Sequence, residues 1–573
     1  MKFDEMTKEE LIDYINNLSE EFNGKYGLIW DKEKEPEKIV VDCDKFIPIL
    51  SEQEDKSINN DFNNNVLIEG DNFHALSVLN YTHKESIDVI YIDPPYNTGN
   101  VDFMYNDKYV DLEDGYRHSK WLNFMEKRLK LARELLKPEG IIFISIDDNE
   151  LYQLKILCDK IFSPQNFIAN FIRKTSFGEK TAKPNINKHH DYCLCYSKSI
   201  REVVSNNIIQ GEEKALSEYS NPDNDPNGPW KKDSPLIKID SGRYGYARYP
   251  ITNEYLNITQ YPPVYYDEQN RKQWHYVEST FNEMVKKGQV VFYKTKEEMG
   301  NSQYSFFIKK YKSSLTNIRN NVSTLYFDNN NYTNANGTKD LVQVIGNSKS
   351  IVGLYPKPVS FIKKLIEFAT IDNKDAIILD FFAGSGTTGQ AVLELNKEDG
   401  GNRKFILCTN DESNICSDIT YPRIKNCLQG TKTIEAMDGT LKFFKTRFVD
   451  NHGTRDQLYY DLTEKCIPML CVKSDTYELV EKNKEYAIYS NKDKSEYSCV
   501  YFDIFGESYD EFINKIKQID EHKNLYIFSL SEYVNEDNFK GIKNYSIEPI
   551  PYKILDLYKN VVKMSKESWL WSN

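Results

Sequence analysis

The chain has 573 residues and lacks four things: a pair of cysteines at C-x-x-C spacing, an apolar run near the roughly 20 residues that span a membrane, a Walker A loop, and net positive charge. Each absence excludes something. Ten scattered cysteines, with Cys193 and Cys195 at strand spacing, suit a reducing cytosol better than a disulfide framework or a zinc site. With no long apolar run, and a polar helical pattern following Met1-Lys2-Phe3-Asp4-Glu5, the chain reads as cytoplasmic, with no membrane partner. Without G-x-x-x-x-G-K-S/T, any ATP-driven step it serves belongs to another polypeptide. A formal charge of −14 argues against nucleic acid, yet residues 160 to 345 hold 25 Lys+Arg against 19 Asp+Glu. That middle stretch can face phosphates while the flanks stay acidic, although so modest an excess is commonly just a solvated face.

What is present is an interrupted α/β pattern. Thr7 to Phe22 has the spacing of an amphipathic helix, and residues 51 to 64 read as a polar linker. Val66 to Glu69 is a short strand ending at Gly70-Asp71, followed by a helical pattern through Ala75 and Leu79. Asp71 there is either a helix cap or an acid facing the ligand crevice, and the stretch alone leaves both open. Ser86 to Ile90 begins a second buried strand that runs into Tyr91-Ile92-Asp93-Pro94-Pro95-Tyr96-Asn97-Thr98-Gly99. The two prolines stop either strand or helix, so the chain must turn, presenting a carboxylate, backbone carbonyls and an aromatic face at one point. A helix from Ser119 to Leu136, ended by Pro138-Glu139-Gly140, and a strand from Ile141 to Ile146 complete a right-handed parallel unit.

From about 165 to 350 the alternation dissolves into short aromatic-rich strands, such as Tyr192 to Tyr196 and Val290 to Tyr293, among turns such as Asp225-Pro226-Asn227-Gly228-Pro229-Trp230. His189 and His190 have no companions at metal spacing and read as surface or phosphate-contacting residues. Regular patterning returns with a helix over Phe361, Leu365, Ile366 and Phe368. The strand Ala376 to Leu379 then enters Asp380-Phe381-Phe382-Ala383-Gly384-Ser385-Gly386-Thr387-Thr388-Gly389 and a helix to Leu395. Such glycines let a ligand approach the backbone, and the helix N-terminus favours a negative group. A strand from Lys404 to Cys408 ends near Asp411 and Glu412, at about the distance a ribose-binding acid takes from a nucleotide glycine loop. Beyond 435, strands Ser498 to Phe505 and Asn524 to Ser529 and helices Tyr509 to Ile519 and Tyr552 to Val562 suggest a small domain without chemistry.

Neither motif decides alone. Asp-Pro-Pro-Tyr can be a mere strand-ending turn, and Gly384-x-Gly386-x-x-Gly389 fits NAD(P) as well as S-adenosylmethionine. Their pairing discriminates, since a dehydrogenase has no use for the proline turn. Together, Asp93-Pro94-Pro95-Tyr96 and Phe382-x-Gly384-x-Gly386 resemble the S-adenosylmethionine-dependent DNA amino-methyltransferases, in the order of their β group: catalytic half, target-recognition insertion, cofactor half. Lys25 to Trp30, Ile68 to Asn72, the Trp121 to Asp148 helix and strand, Asp225 to Trp230, Lys357-Pro358 and Thr409 to Glu412 resemble the modification subunits of type III restriction systems in particular.

The resemblance implies a permuted Rossmann-like α/β methyltransferase sheet, a mixed or β-rich target-recognition insertion and a small α/β C-terminal domain. Its boundaries are 1–64 (helical and linker segment), 65–165 (catalytic half), 166–350 (insertion), 351–434 (cofactor half) and 435–573 (dimerisation or partner docking). It implies Asp93, Pro94, Pro95 and Tyr96 as catalytic residues. Asp71, Phe73, Lys357, Pro358, Asp380, Phe382, Ala383, Gly384, Gly386, Thr387 and Glu412 would hold S-adenosyl-L-methionine, with Asp411 competing with Glu412 for the ribose. No metal is implied. The expected partners are double-stranded DNA, a second copy of the chain and a separate helicase-nuclease restriction subunit. The expected reaction is methylation of N6 of a flipped adenine; N4 of cytosine, or a chain that serves chiefly as a DNA-recognition subunit, are the alternatives.

Overall fold

The computed structural model describes Trp30 and residues 37–43, 45–58, 64–99, 103–106, 108–177, 186–206, 208–211, 218–233, 236–238, 251–253, 258–260, 272–274, 278–298, 301–314, 319–346, 351, 354–450, 455–502 and 506–566. The helix expected over Thr7 to Phe22 and the stretch from Lys25 to Ile29 lie outside the described residues. Two compact units emerge: residues up to Gln210 together with those from Val322 onward, and Gly211–Asn321.

The first unit is built on a nine-stranded sheet. In chain order its strands are β1 (Phe46–Glu52), β2 (Asn64–Glu69), β3 (Ile87–Ile92), β4 (Leu136–Ile146), β5 (Phe167–Lys174), β6 (His190–Ser197), β7 (Ile377–Asp380), β8 (Lys404–Thr409) and β9 (Thr440–Asp450). Their order across the sheet is β1-β9-β2-β8-β7-β3-β4-β6-β5. The six strands from β9 to β4 are parallel, with antiparallel β1 on one flank and β6 and β5 on the other. Runs such as Val66-Leu67-Ile68 and Ile377-Ile378-Leu379 are apolar on both faces because helices cover both faces of a parallel sheet. Helices α1 (Asn72–Thr82), α2 (Arg117–Leu135) and α3 (Leu151–Phe162) follow β2, β3 and β4; α4 (Asn334–Ile345), α5 (Val359–Thr370) and α6 (Thr387–Asp399) frame β7. On α2, Trp121, Leu122, Met125, Leu129, Ala132 and Leu135 are all buried, as helical spacing requires.

The decisive pairing is β3 with β7, in parallel register Val89 to Ile378 and Ile90 to Leu379. The strands leading into the two sequence motifs are therefore neighbours, and both motifs leave the sheet at its carboxyl edge, where open α/β sheets bind ligands.

Several boundaries differ from the sequence expectation. Helix α2 gives way to β4 at Leu136 with no break at Pro138-Glu139-Gly140. Those residues lie within β4, where its pairing with β3 shifts register between Ile87 and Val89; such an irregularity tolerates proline's missing N–H. A Cβ on Gly140 would stand 2.9 Å from the Ile87 carbonyl oxygen. Strand β1 ends within the stretch read as linker. Residues 167–174 and 190–197, assigned to the insertion, are β5 and β6 of the large sheet, so the compact inserted unit is 211–321 rather than 166–350. Residues beyond 435 are not self-contained either: β9 joins the sheet, and Leu470, Val500, Tyr526 and Ile550 share the core of α1 and α2, while Tyr486, Phe512 and Ile527 enclose a second core of their own. Lys442 and Lys445 interrupt the apolar run of Leu441, Phe443 and Phe444, so no continuous buried-strand pattern marked β9. Among the described residues no helix is long and apolar enough to cross a membrane.

The inserted unit carries a three-stranded antiparallel sheet, ordered Val290–Glu298, Asn301–Tyr311, Trp230–Asp233. Asp225, from the turn noted in the sequence, accepts hydrogen bonds from the Asn227 backbone N–H (2.9 Å), the Tyr311 hydroxyl (2.8 Å) and the Lys309 ammonium (2.5 Å), pinning that turn to the middle strand. At the base of the unit the Gly211 N–H donates to the Asn320 carbonyl (3.1 Å), an approach that a Cβ, 2.5 Å from that oxygen, would block.

Candidate active site

The proline turn is held from below. The Trp121 indole N–H donates to the Pro95 carbonyl (2.7 Å), and Asn97, buried in a left-handed conformation at φ +57°, donates to Glu150 Oε1 (2.6 Å) and the Arg117 carbonyl (3.3 Å). His118 Nδ1 lies 2.6 Å from the same Glu150 oxygen. Burial raises the Glu150 carboxyl above its ordinary value, against these hydrogen bonds. Asparagine tolerates the left-handed bend better than most residues, so the turn and its anchor are one device.

Above this base, Asp93 is surrounded. The Tyr96 hydroxyl donates to Oδ1 (2.8 Å), and the Lys357 ammonium stands 2.8 Å from both carboxylate oxygens and 2.8 Å from the Tyr96 oxygen. Burial and the Asp93 charge hold the Tyr96 phenol well above its ordinary pKa, so it remains a donor.

On the neighbouring strand, Asp380 Oδ1 accepts the Phe382 backbone N–H (3.0 Å) and Oδ2 the Thr388 hydroxyl (2.5 Å), folding the glycine turn back on its own strand. Gly384 and Gly386 have φ of +47° and +76°, a region costly for other residues. A Cβ on Gly384 would meet nothing nearer than the Phe382 carbonyl oxygen at 3.8 Å, whereas one on Gly389 would stand 2.5 Å from Ile424 Cδ1. The first glycine keeps a space open, and the third lets α6 pack.

Desolvation raises the Asp380 carboxyl to about 7. Since the unfolded chain titrates near 4, the folded state binds the extra proton between those values, and stability falls as pH rises from about 4 to about 7. Asp380→Asn removes that dependence. Chemical denaturation of both proteins from pH 5 to 8 is expected to show the variant gaining on the wild type by roughly 1 kcal/mol per pH unit up to about 7; a constant difference would contradict this assignment.

Between the two turns lies a cavity of about 470 Å³, lined by Asp71, Asp93, Pro94, Pro95, Phe382, Gly384 and Glu412 from the sequence-derived set. Asp71 does both things the sequence left open, capping α1 through the Phe73 N–H (2.7 Å) while lining the cavity. Asp411 instead holds its own loop through the Ser417 N–H (2.9 Å), leaving Glu412 as the acid on the wall. The other expected residues do not line it. Phe73 is buried in the core beside Ala75 and Leu76; Asp380, Ala383, Gly386 and Thr387 shape the glycine turn from behind, and Thr387 accepts from Arg423 (2.8 Å). Pro358 precedes α5. Lys357, expected at the cofactor pocket, is on Asp93, and the Tyr96 hydroxyl bonds back to Asp93.

Sequence reasoning missed the hub of the opposite wall. Arg128, fully buried on α2, pairs with Glu37 (2.8 Å), donates to Asn72 Oδ1 (2.5 Å) and covers the Phe124 ring at 3.7 Å, which in turn packs on Phe382. Against the desolvation of burial, Glu37 and Asp71 keep its pKa above the ordinary arginine value. Its one signal was a charged residue within the apolar stripe of α2. A second cavity, about 550 Å³, opens where β5 and β6 meet the same edge of the sheet, lined by Lys174, Ser176, Phe177, His189 and His190 among others.

Comparison with known proteins agrees with this geometry. The DNA methylase family of N6 and N4 methyltransferases matches residues 87–421. The StyLTI Mod subunit, a type III restriction-modification enzyme of Salmonella typhimurium strain LT2, is 34% identical over 61% of this chain and 53% of its own length. The type II methyltransferase M.KpnI of Klebsiella pneumoniae is 34% identical over 61% of this chain and 82% of its own. The EcoPI Mod subunit of Escherichia phage P1, also type III, is 31% identical over 63% and 60%. The chain thus matches little more than half the length of the StyLTI subunit. Residues 87–421 run from the strand before the proline turn to beyond the glycine loop and so span both walls of the cavity, and the chain belongs to the DNA methylase family.

Proposed function

We propose that this chain transfers a methyl group from S-adenosyl-L-methionine to N6 of an adenine flipped out of double-stranded DNA, as the modification and recognition subunit of a type III restriction system. The observation that carries the reading is the shared cavity: the Asp93-Pro94 turn and the Gly384 turn line one space at the ends of adjacent parallel strands.

The residues present suit the cofactor. The cavity falls within the ~300–1,000 Å³ common for small-molecule sites. Gly384 leaves room at the backbone, Phe382 offers an apolar face, and Glu412 and Asp71 are acceptors for hydroxyl and amine groups. Bound there, S-adenosylmethionine supplies an electrophilic methyl group on its sulfonium. The rest of the work falls to Asp93 and Pro94. An exocyclic amine has its lone pair delocalised into the ring and is hidden in the duplex, so the base must leave the stack. The amine then donates one hydrogen bond to the Asp93 carboxylate and the other to the Pro94 carbonyl, which draws nitrogen towards tetrahedral geometry and stabilises its growing positive charge. Tyr96 stacks on the ring, a contact worth roughly 1–3 kcal/mol. The second cavity, with Lys174, His189 and His190, is a place for DNA phosphates, and residues 211–321 read the sequence. A second copy of the chain and a separate helicase-nuclease complete the expected assembly.

The test is transfer of labelled methyl to mixed-sequence DNA followed by nucleoside analysis. N6-methyladenine is expected. N4-methylcytosine would keep the mechanism and overturn the base, and specific DNA binding without transfer would leave only a recognition subunit.

A further inference from the structure

Lys357 is the residue whose place differs most from expectation, and its surroundings are built. Its ammonium has three N–H groups, and three acceptors stand around it at 2.8 Å: both oxygens of Asp93 and the Tyr96 hydroxyl. The same ammonium lies 4.9 Å from the Tyr96 ring centroid. The residue is buried, so these contacts are little screened by water.

The backbone that carries Lys357 is itself clamped by α4. Gly337 lets that helix press against the Pro356 carbonyl, where a Cβ would stand 2.0 Å from the oxygen, and Asp340 accepts the Val359 N–H at 2.8 Å. The start of α4 is tied in turn to β5, because Arg173 donates to the Asn334 side chain and the Tyr332 carbonyl. A lysine serving only as surface charge needs no such frame.

A carboxylate offers about four acceptor positions. At Asp93 the lysine takes one on each oxygen and Tyr96 a second on Oδ1, which leaves one on Oδ2. We propose that Lys357 is a positioning residue for the transfer reaction: it locks the Asp93 carboxylate and the Tyr96 ring together so that a single acceptor position, on Oδ2, meets the target amine. The proposal rests on the methyltransferase reading above. It separates Lys357 from cofactor binding, the role its resemblance implied, and explains why the turn offers the amine one carboxylate acceptor and one carbonyl rather than two carboxylate oxygens.

The two roles predict opposite splits between binding and chemistry. Lys357→Met keeps length and removes the donors; Lys357→Arg keeps charge and a bidentate carboxylate contact. For the methionine variant, the single-turnover methylation rate at saturating cofactor and DNA is expected to fall ~10²-fold, the scale of a misplaced reacting group. Its S-adenosylmethionine dissociation constant, from calorimetry, is expected to move less than about threefold, and arginine to restore about a tenth to a half of the rate. Weaker cofactor binding by tenfold or more with an unchanged saturated rate overturns the proposal, as does a methionine variant as fast as wild type. If the methionine variant does not fold, the arginine variant decides: an intermediate rate with intact cofactor affinity supports the lock, and lost affinity at an unchanged rate overturns it. A wild type that transfers no methyl overturns the function on which the proposal stands; an active wild type with an unimpaired variant overturns the lysine alone.

Discussion

Asp93→Ala is expected to lower the rate of methyl transfer by ~10³-fold or more, at the upper end of what loss of one preorganised polar partner costs. The carboxylate is the centre to which Tyr96, Lys357 and, in the proposed mechanism, the target amine all attach. Its removal takes away the acceptor and also leaves the buried Lys357 ammonium without a counter-charge, so the Tyr96 ring loses its place as well. Asp93→Asn keeps the volume and one acceptor oxygen, and should retain more activity than alanine. The measurement is single-turnover methylation alongside a cofactor titration. Cofactor affinity is expected to change by less than about tenfold, because an interaction made in the transition state is lost from the rate rather than from binding. An alanine variant within tenfold of wild type would remove Asp93 from the chemistry.

The largest expected effect on stability lies behind the site, at Arg173. This fully buried guanidinium donates to Asp191 Oδ1 (2.9 Å) and Oδ2 (2.5 Å), to the Tyr332 carbonyl (2.8 Å) and to Asn334 Oδ1 (2.9 Å). Arg173→Ala strands the Asp191 carboxylate in the interior, a change that costs about 3–5 kcal/mol where one partner of a buried pair is removed. Thermal unfolding should show it as a fall of several degrees. The double variant Arg173→Met with Asp191→Leu removes both charges and is expected to recover most of the loss, since an apolar pair of similar volume often matches a buried ion pair. Equal losses in the single and double variants would mean that the pair contributes through packing and the Tyr332 and Asn334 bonds instead.

The chemistry-bearing parts of the molecule were legible because they rest on local rules. Two prolines after an apolar strand force a turn wherever they occur, and glycines at 384, 386 and 389 announce a strand-to-helix bend. What the sequence did not disclose depends on distant partners. Arg128 is one charged residue in an apolar stripe until Glu37 and Asp71 arrive from elsewhere to neutralise it. Lys357 reads as part of a short Lys-Pro motif, and only the pairing of β7 with β3 brings its segment against Asp93. Strand β9 was not marked as part of the large sheet because Lys442 and Lys445 interrupt its apolar run, and β5 and β6 were placed in the insertion because their antiparallel pairing onto β4 depends on distant partners that no local pattern discloses.

The closed base of the inserted unit has a consequence for how such a chain changes over generations. Because the backbone enters at Gly211 and leaves at Asn320 across a hydrogen bond, the ends of the unit are close together, and a segment of different length or sequence is expected to be tolerated between them, as insertions at closely spaced ends generally are. If residues 211–321 read the DNA, a single recombination event would readdress the enzyme to a new site while leaving every atom of its chemistry in place.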